Sequence, residues 1–230
     1  MSGTLYGVGV GPGDPKLMTL MAVETIGKCP VIAVPAEGRE HAISYRIASR
    51  VVSGLEEKRC LNLSTPMTKD PQILTQSYEL AAGRIIEQLK ENEDVAYLTL
   101  GDPTIYSTYI YIHRLVREKG YSAKIVNGIP SFCAVAARIG DSLADRSEQL
   151  HIIPSSYQIE EALDYPGNKV FMKAASKLSG VKHTLQEKNL TAVMIENCGL
   201  SDERIYQTTA SMPEQASYYT TVLVKEGVHD

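Results

Sequence analysis

The amino-acid sequence predicts an α/β protein made of two α/β domains, an N-terminal domain with a parallel sheet and a C-terminal domain with a mixed sheet, and an active cleft between them. In the first half of the chain, short apolar runs alternate with helical patterns, which is typical of βαβ units. In the second half, strand patterns follow one another with one well-marked helix among them, which favours antiparallel pairing. A chain of 230 residues is long enough for two cores of modest size.

The N-terminal half contains five strand candidates, and a helical pattern separates each from the next. The strands are predicted over TLYGVGV, VIAVPA, KRCLNL, VAYLTL and AKIVNG. The helices between them are predicted over KLMTLMAVETIGKC, HAISYRIASRVV, QSYELAAGRIIEQLKEN and YIYIHRLVREKG. The first helix runs into Pro30, which cannot continue it. Strands connected in this way lie parallel, so their carboxyl ends meet at one edge of the sheet.

The C-terminal half begins with the helix candidate SFCAVAARIG, after which strand patterns no longer alternate regularly with helical patterns. Its strand candidates are QLHIIPSS, KVFMKA, LTAVMIENCG, RIYQTTASM and SYYTTVLVKEG, and its well-marked helix is KLSGVKHTLQEKN. No Pro/Ser-rich linker separates the halves. The alternation of strand and helix patterns ends near the loop NGIPS, so we predict domains over residues 1–127 and 128–230.

Composition excludes several classes of protein. A net charge of −4 argues against a general nucleic-acid binder. The absence of a long apolar run or a signal-peptide pattern predicts a cytoplasmic protein without membrane spans. Four separated cysteines without CxxC, and five histidines without paired spacing, predict no metal site. The same spacing does not identify a catalytic residue, although it leaves a catalytic histidine open. The 13 tyrosines, with 2 phenylalanines and no tryptophan, suit the wall of a pocket for a flat, polar ligand.

The first glycine cluster, GVGVGPGDP, does not fit the dinucleotide fingerprint G-x-G-x-x-G. Counting from Gly7 places Pro12 at the third glycine, and counting from Gly9 places Asp14 there. Pro12 lacks an N–H and an acid at a helix start repels phosphate, so a nucleotide-phosphate site is disfavoured. The cluster instead predicts a close backbone approach, followed by Asp14 as helix cap and Pro15 as first helical residue. A simple helix opening is the alternative for this Asp-Pro pair.

The same Gly-Asp-Pro arrangement recurs at Gly101, and a third loop, VNGIPS, follows the fifth strand. Ligands of open parallel sheets bind at the carboxyl ends of strands, where all three loops are predicted to lie. The loops are rich in carbonyls and acids and poor in basic residues. They therefore suit a cationic, hydroxyl-bearing ligand without phosphate, such as S-adenosylmethionine, although a plain hydroxylated ligand would fit too.

Five segments together resemble the tetrapyrrole methylases, a family of S-adenosylmethionine-dependent enzymes. The segments are YGVGVGPGDP, YLTLGDPTIYSTYIYI, IVNGIPSFCAVAAR, IENCG and SYYTTVLVKEG. Within the family, VPAEGRE, TPMTKD, LGDPTIYSTY and YYTTVLV most resemble the precorrin-2 or cobalt-factor II C-20 methyltransferases of cobalamin biosynthesis. The resemblance implies methyl transfer to C-20 of precorrin-2 or cobalt-factor II, S-adenosylhomocysteine as product, and a homodimer. It does not distinguish a metal-free from a cobalt-bearing substrate.

The resemblance also implies which positions bind the cofactor. They are Pro12, Leu100, Gly101, Asp102, Ile105, Pro130, Ser131, Met172 and Cys198. Two positions depart from the family pattern, since relatives often have glycine in place of Leu100 and of Cys198. For Met172 core packing is the competing interpretation, because methionine in an apolar strand is more often core than ligand contact.

A tetrapyrrole ringed by carboxylates requires local basic residues, which the segment after the second strand supplies. The substrate-binding candidates are Arg39, Arg46, Lys69, Tyr106 and Tyr109. The two tyrosines are predicted to share a face at the start of a helix. A solvated helix face is the alternative for the basic residues, and core packing is the alternative for Tyr109.

Three other functions remain open at this level. One is a tetrapyrrole methylase acting elsewhere on the ring, such as a C-11 or C-17 precorrin methyltransferase, and another is a relative that methylates a protein side chain. The third is a non-catalytic carrier of a tetrapyrrole or nucleoside, which would not need the Gly-Asp-Pro loop if it carried only the ring.

Overall fold

A computed structural model describes residues 2–66, 68, 70–154 and 159–226. The chain forms two compact units, Met1–Pro130 and Ser131–Asp230. The division lies slightly beyond the predicted one between residues 127 and 128. The reason is that the loop after the fifth strand hydrogen-bonds to Asp102 through Asn127 and Gly128, and so remains with the first unit.

The first unit has the predicted parallel sheet of five strands. The strands are β1 (Thr4–Gly9), β2 (Val31–Val34), β3 (Arg59–Asn62), β4 (Val95–Thr99) and β5 (Ser122–Val126). They lie in the order β3-β2-β4-β1-β5, and every pair is parallel. β1, β2 and β4 are apolar and largely buried because helices cover both faces of the sheet.

Four α-helices and three short 3-10 helices complete the described part of this unit. The α-helices are α1 (Leu20–Lys28), α2 (Ile43–Ala48), α3 (Pro71–Lys90) and α4 (Tyr109–Glu118). The 3-10 helices are Pro15–Leu17, Arg39–His41 and Leu55–Glu57. α1 and α2 pack in one apolar core and α3 and α4 in another, on the opposite face. This division follows from right-handed crossovers that leave the sheet in opposite directions.

The second unit has the predicted mixed sheet. Its strands are β6 (Leu150–Pro154), β7 (Asn168–Met172), β8 (Ala192–Glu196), β9 (Arg204–Tyr206) and β10 (Thr220–Val224), in the order β6-β7-β10-β8-β9. β6 and β7 are parallel, whereas β10 is antiparallel to both β7 and β8. The β8–β9 pair is also antiparallel.

The α-helices in the described part of the second unit are α5 (Ser131–Ile139), α6 (Ile159–Ala162) and α7 (Leu178–Glu187), with 3-10 helices at Ala174–Lys177 and Thr209–Ser211. α6 and α7 pack on an apolar core formed with β7, β8 and β10, whereas α5 contacts β10. Within the described ranges of the chain, no helix combines the length and the apolar character needed to cross a bilayer.

Candidate functional site

The candidate site of the first unit lies at the carboxyl ends of β4, β1 and β5, which are neighbours in the sheet. α1, which follows β1, and α4, which follows β4, pack on opposite faces. The chain therefore leaves these two strands toward opposite faces, at the end of the sheet where open α/β proteins bind ligands. The three loops that the sequence singles out all begin at this edge.

The first two loops are joined through their backbones. The Gly11 and Gly101 residues form a bridge, with N···O distances of 2.8 Å and 3.3 Å. The third loop packs against the same point: a Cβ atom on Gly9 would lie 2.5 Å from the Gly101 carbonyl oxygen and 2.6 Å from Gly128 N. No side chain fits between these backbones, so glycine is required at Gly9 and Gly128 by space.

Asp102 links the loop after β4, here called the central loop, to the third loop, which follows β5. One carboxylate oxygen accepts hydrogen bonds from the Thr104 backbone N–H, at 2.7 Å, and from the Thr104 hydroxyl. The other oxygen accepts from Gly128 N at 2.9 Å and from Asn127 Nδ2 at 3.1 Å. Burial raises the pKa of this carboxyl, but the four hydrogen bonds outweigh it and lower the pKa below its usual value. The carboxylate is thus ionised and its described bonds are to protein groups.

The chemistry of these loops suits S-adenosylmethionine better than a phosphate. Neither 100–108 nor 125–131 contains a lysine or arginine, and both offer carbonyls and hydroxyls. Gly101 has φ +69°, and a Cβ there would meet one atom within 4 Å, the Ile129 carbonyl oxygen at 3.9 Å. The backbone at Gly101 is therefore open to a ligand. Ribose hydroxyls, an ammonium group and a sulfonium need acceptors and close backbone approach, and both are present.

The structure brings the predicted cofactor residues of the first unit together at this edge. Gly101 and Asp102 are buried, as is Pro12 beside the bridge, while Leu100 and Ile105 are half-buried. Pro130, also half-buried, ends the third loop and the unit.

In the second unit, Met172 and Cys198 lie where β7 and β8 end, which we call the Met172 edge of the mixed sheet. Met172 is the last residue of β7, and Cys198 follows β8 by two residues. Both are 8% exposed. Burial and the nearby Glu203 carboxylate raise the pKa of the Cys198 thiol to about 11, so it stays protonated at neutral pH. Ser131, the other predicted residue of this unit, is the first residue of α5.

The basic substrate candidates follow β2. Arg39 is half-buried, its Nη1 donates to the Glu56 carbonyl oxygen at 2.9 Å, and its guanidinium lies 5.6 Å from the centre of the Tyr45 ring. Arg46 is exposed on α2. Lys69 lies outside the described residues.

The expected shared helix face of Tyr106 and Tyr109 is wrong. α4 begins at Tyr109, and Tyr106 precedes it in a left-handed turn with φ +47°. Tyr106 is 46% exposed, whereas Tyr109 is fully buried with its hydroxyl bonded to the Lys124 carbonyl oxygen and to His113 Nδ1. The position of Tyr109 is that of the core-packing alternative. The loop after Asp102 is longer than the local Gly-Asp-Pro pattern indicates, because its turns are stabilised by Asp102 and Ser107.

Sequence reasoning missed one residue beside the Met172 edge. Lys173 follows β7 in the left-handed conformation, with φ +57°, and its Nζ lies 5.8 Å from the centre of the Tyr218 ring. The signal in the sequence was weak: a lysine directly after an apolar strand is usually a solvated turn residue.

The chain resembles known proteins over nearly its whole length. A family model described as Tetrapyrrole (Corrin/Porphyrin) Methylases matches residues 4–213. A Methanocaldococcus jannaschii protein named "Probable cobalt-precorrin-2 C(20)-methyltransferase" is 39% identical over 183 residues, which cover 78% of this chain and 77% of the relative. The cobalt-precorrin-2 C(20)-methyltransferase of Salmonella typhimurium is 26% identical over 98% of both chains.

A solved structure shares the fold. Uroporphyrin-III C-methyltransferase from Thermus thermophilus, complexed with S-adenosylhomocysteine, matches with a TM-score of 0.70 at 18% identity, covering 96% of this chain and 97% of that one. The sequence match extends through the joined glycine loops of the first unit and the Met172 edge of the second. This chain belongs to the tetrapyrrole (corrin/porphyrin) methylase family.

Proposed function

We propose that this protein transfers a methyl group from S-adenosylmethionine to C-20 of cobalt-precorrin-2 (cobalt-factor II), a step of corrin-ring biosynthesis. The observation that carries the proposal is the junction of three glycine loops in a tetrapyrrole methylase, open at Gly101 and without lysine or arginine in the loops after β4 and β5. The names of two relatives specify the C-20 position and the cobalt-bearing precursor.

The cofactor contacts that we propose are those implied by the family resemblance. In the first unit they are Pro12, Leu100, Gly101, Asp102, Ile105 and Pro130, and in the second unit Ser131, Met172 and Cys198. The Gly101 backbone offers the close approach, and Asp102 acts by shaping the loop, since its carboxylate is engaged by Thr104, Asn127 and Gly128. Cys198 contributes through its backbone, because its buried, protonated thiol has no part to play as a nucleophile.

When bound, S-adenosylmethionine supplies a methyl group that is already activated as a sulfonium. The task of the protein is then to hold both ligands in line and to exclude water, and no covalent bond to a side chain is needed. We propose that the carboxylates of the tetrapyrrole pair with three cations, Arg39, Arg46 and Lys69. We propose that Tyr106, which lies in the central loop, contacts the same ligand.

A direct test uses purified protein with metal-free and cobalt-loaded precursors in parallel, with products read by mass spectrometry. We expect the cobalt-loaded precursor to gain the mass of one CH2, because a methyl group replaces the hydrogen at C-20, and we expect fragmentation to place the new methyl group at C-20. Methylation at C-11 or C-17 would overturn the positional assignment. Calorimetric titration with S-adenosylhomocysteine distinguishes a methyltransferase from a tetrapyrrole carrier, since a carrier of the ring alone would release no heat.

Arg39→Ala is expected to weaken tetrapyrrole binding while leaving the cofactor site intact. The Arg39 side chain is held by Glu56 and Tyr45 at the end of β2 and remains partly exposed, so its charge is presented in a defined place. Loss of one charge-assisted bond predicts a KM for the precursor about tenfold higher. Arg50→Ala, which removes the same charge from an exposed position of the same segment, is the control. Equal effects of the two substitutions would count against a specific role for Arg39.

We also propose that the protein is a cytoplasmic homodimer, as the family resemblance implies. Sedimentation velocity over a range of concentrations will measure the mass of the particle against the 25.2 kDa of one chain. A monomer at micromolar concentration would contradict the dimer.

A further inference from the structure

Lys173 occupies a backbone conformation that a lysine seldom adopts. It follows Met172 at the end of β7 and has φ +57° and ψ +39°, before the 3-10 helix that starts at Ala174. Both neighbours are buried, Met172 at 8% exposed and Ala174 at 0%. Non-glycine residues in this region of φ/ψ space are uncommon and cluster at ligand sites, where the surrounding structure maintains them.

The turn directs the Lys173 amine toward an aromatic pair. Its Nζ lies 5.8 Å from the centre of the Tyr218 ring, and the Tyr218 and Tyr219 rings are 5.2 Å apart at 85° to each other. Tyr218 is 47% exposed and Tyr219 is 39% exposed. A half-buried cation and two partly exposed aromatic rings thus lie together at the surface of the second unit.

The sheet register places this group at the Met172 edge. β10 runs antiparallel between β7 and β8, with Thr221 opposite Met172 and Thr220 opposite Glu196. Tyr218 and Tyr219 precede β10, so they lie where β7 and β8 end.

The tyrosine segment is held in place from the β8 side. Asn197, also left-handed with φ +51°, donates its backbone N–H to the Tyr219 carbonyl oxygen at 3.0 Å. The Ser217 hydroxyl donates to Asn197 Oδ1 at 2.8 Å. The loops after β7 and β8, the two strands that flank β10, thus each begin with a left-handed residue, and the β8 side fixes the position of the aromatic pair.

We propose that Lys173 and Tyr218 bind the tetrapyrrole directly, Lys173 by pairing its ammonium group with a carboxylate of the substrate and Tyr218 by packing its ring against the macrocycle. The inference rests on the proposed function, because it takes its ligand class from there. A site for a flat macrocycle that bears carboxylates needs a cation beside a flat apolar surface, and Lys173 and Tyr218 provide both. Burial lowers the pKa of the Lys173 amine, and a substrate carboxylate would offset this effect by favouring the charged form.

The test compares two kinds of substitution at Lys173 with one distant control. Lys173→Asn removes the charge and suits the left-handed backbone, and Lys173→Gln removes the charge while keeping more of the stem. Lys173→Arg keeps the charge. The control is Lys188→Gln, since Lys188 follows α7, which carries the chain from the β7 end back to the opposite edge of the sheet.

We expect both charge-removing variants to raise the KM for the precursor at least tenfold, with little change in kcat and in the dissociation constant for S-adenosylhomocysteine. Lys173→Arg should remain within a few fold of the wild type, and Lys188→Gln should match it. Tyr218→Leu should raise the same KM. If Lys173→Gln proves unstable, Lys173→Asn decides the matter.

The proposal is overturned if a folded Lys173→Asn protein has the wild-type KM for the precursor, or if Lys173→Arg is as impaired as Lys173→Asn. Failure of the proposed function is a separate result, because the wild-type protein itself would then methylate no precursor and bind no S-adenosylhomocysteine.

Discussion

Asp102→Ala will disconnect the central loop from the third loop and weaken S-adenosylhomocysteine binding at least tenfold. The substitution removes four hydrogen bonds, from Thr104, Asn127 and Gly128, and leaves the Gly128 N–H without its acceptor. Unpaired groups of this kind cost about 1–3 kcal/mol each, so we expect a loss of about 3 kcal/mol in the free energy of unfolding. Urea unfolding and calorimetric titration measure the two effects.

Asp14→Ala is the matched control, because Asp14 also precedes a proline in a glycine loop of the same edge. Its carboxylate has one described hydrogen bond, from Lys16 N at 2.9 Å, and caps only a short 3-10 helix. We expect a loss of about 1 kcal/mol, typical of a cap. If Asp102→Ala is no more damaging than Asp14→Ala, Asp102 does not organise the site.

The contribution of Asp102 to stability also predicts that the free energy of unfolding depends on pH. Its pKa is lowered in the folded protein, so its stabilisation is fully present above the unfolded-state pKa, at about pH 4. That stabilisation is lost as the pH falls further, through the folded-state pKa. The difference in unfolding free energy between the wild type and Asp102→Asn should therefore be constant near neutrality and shrink below about pH 4. A difference that is the same at pH 3 and pH 7 would contradict an ionised, hydrogen-bonded carboxylate.

Gly128→Ala will break the junction of the three loops. An added Cβ would lie 2.9 Å from Gly9 Cα and closer still to the Gly101 carbonyl oxygen. Both obstacles are backbone atoms, which cannot move aside as a side chain can, so we expect a destabilisation of about 3 kcal/mol or more and loss of S-adenosylhomocysteine binding. Thermal unfolding and calorimetry measure both.

Two other glycines serve as controls for the same substitution. Gly27 in α1 and Gly83 in α3 have nothing within 4 Å of an added Cβ. Alanine at either should be neutral or should stabilise the protein by about 0.5–1 kcal/mol, because it restricts the unfolded chain and favours helix. Wild-type stability and ligand binding in Gly128→Ala would show that the loops do not need their close contact.

The sequence was sufficient for the strands of both sheets, for the longer helices and for the edge of the sheet where the first-unit site lies, but not for the short helix α6. Apolar runs and helical patterns are local, and so are signals that end them, such as Pro30 after α1. The sequence predicts the start of α3 at Gln76, five residues after the observed start at Pro71. The glycine loops follow predicted strands directly, which places them at the carboxyl edge of any parallel sheet. The family resemblance then supplied the ligand.

The contacts that form the site could not be predicted from local sequence patterns. Asp102 repeats the Gly-Asp-Pro arrangement that predicts a helix cap in the first loop, yet it accepts hydrogen bonds from Asn127 and Gly128. These donors lie 25 and 26 residues further along the chain, and the local pattern around Asp102 does not indicate them. Tyr109 looked like part of a pocket wall, yet Gly7 lies beside its ring and makes room for it in the core. Each outcome depends on which strands are neighbours, because β4 lies beside β1 and β5 lies on the other side of β1.

By itself, then, the sequence determined two α/β domains, a site edge of glycine loops and membership in a methylase family. Only the tertiary structure decided that Gly9, Gly101 and Gly128 meet backbone to backbone, that Asp102 is engaged by protein donors, and that Lys173 stands beside Tyr218. The physical reason is that secondary structure follows from side-chain periodicity within a few residues. Close backbone contacts and left-handed turns are instead imposed by packing between segments far apart in the chain.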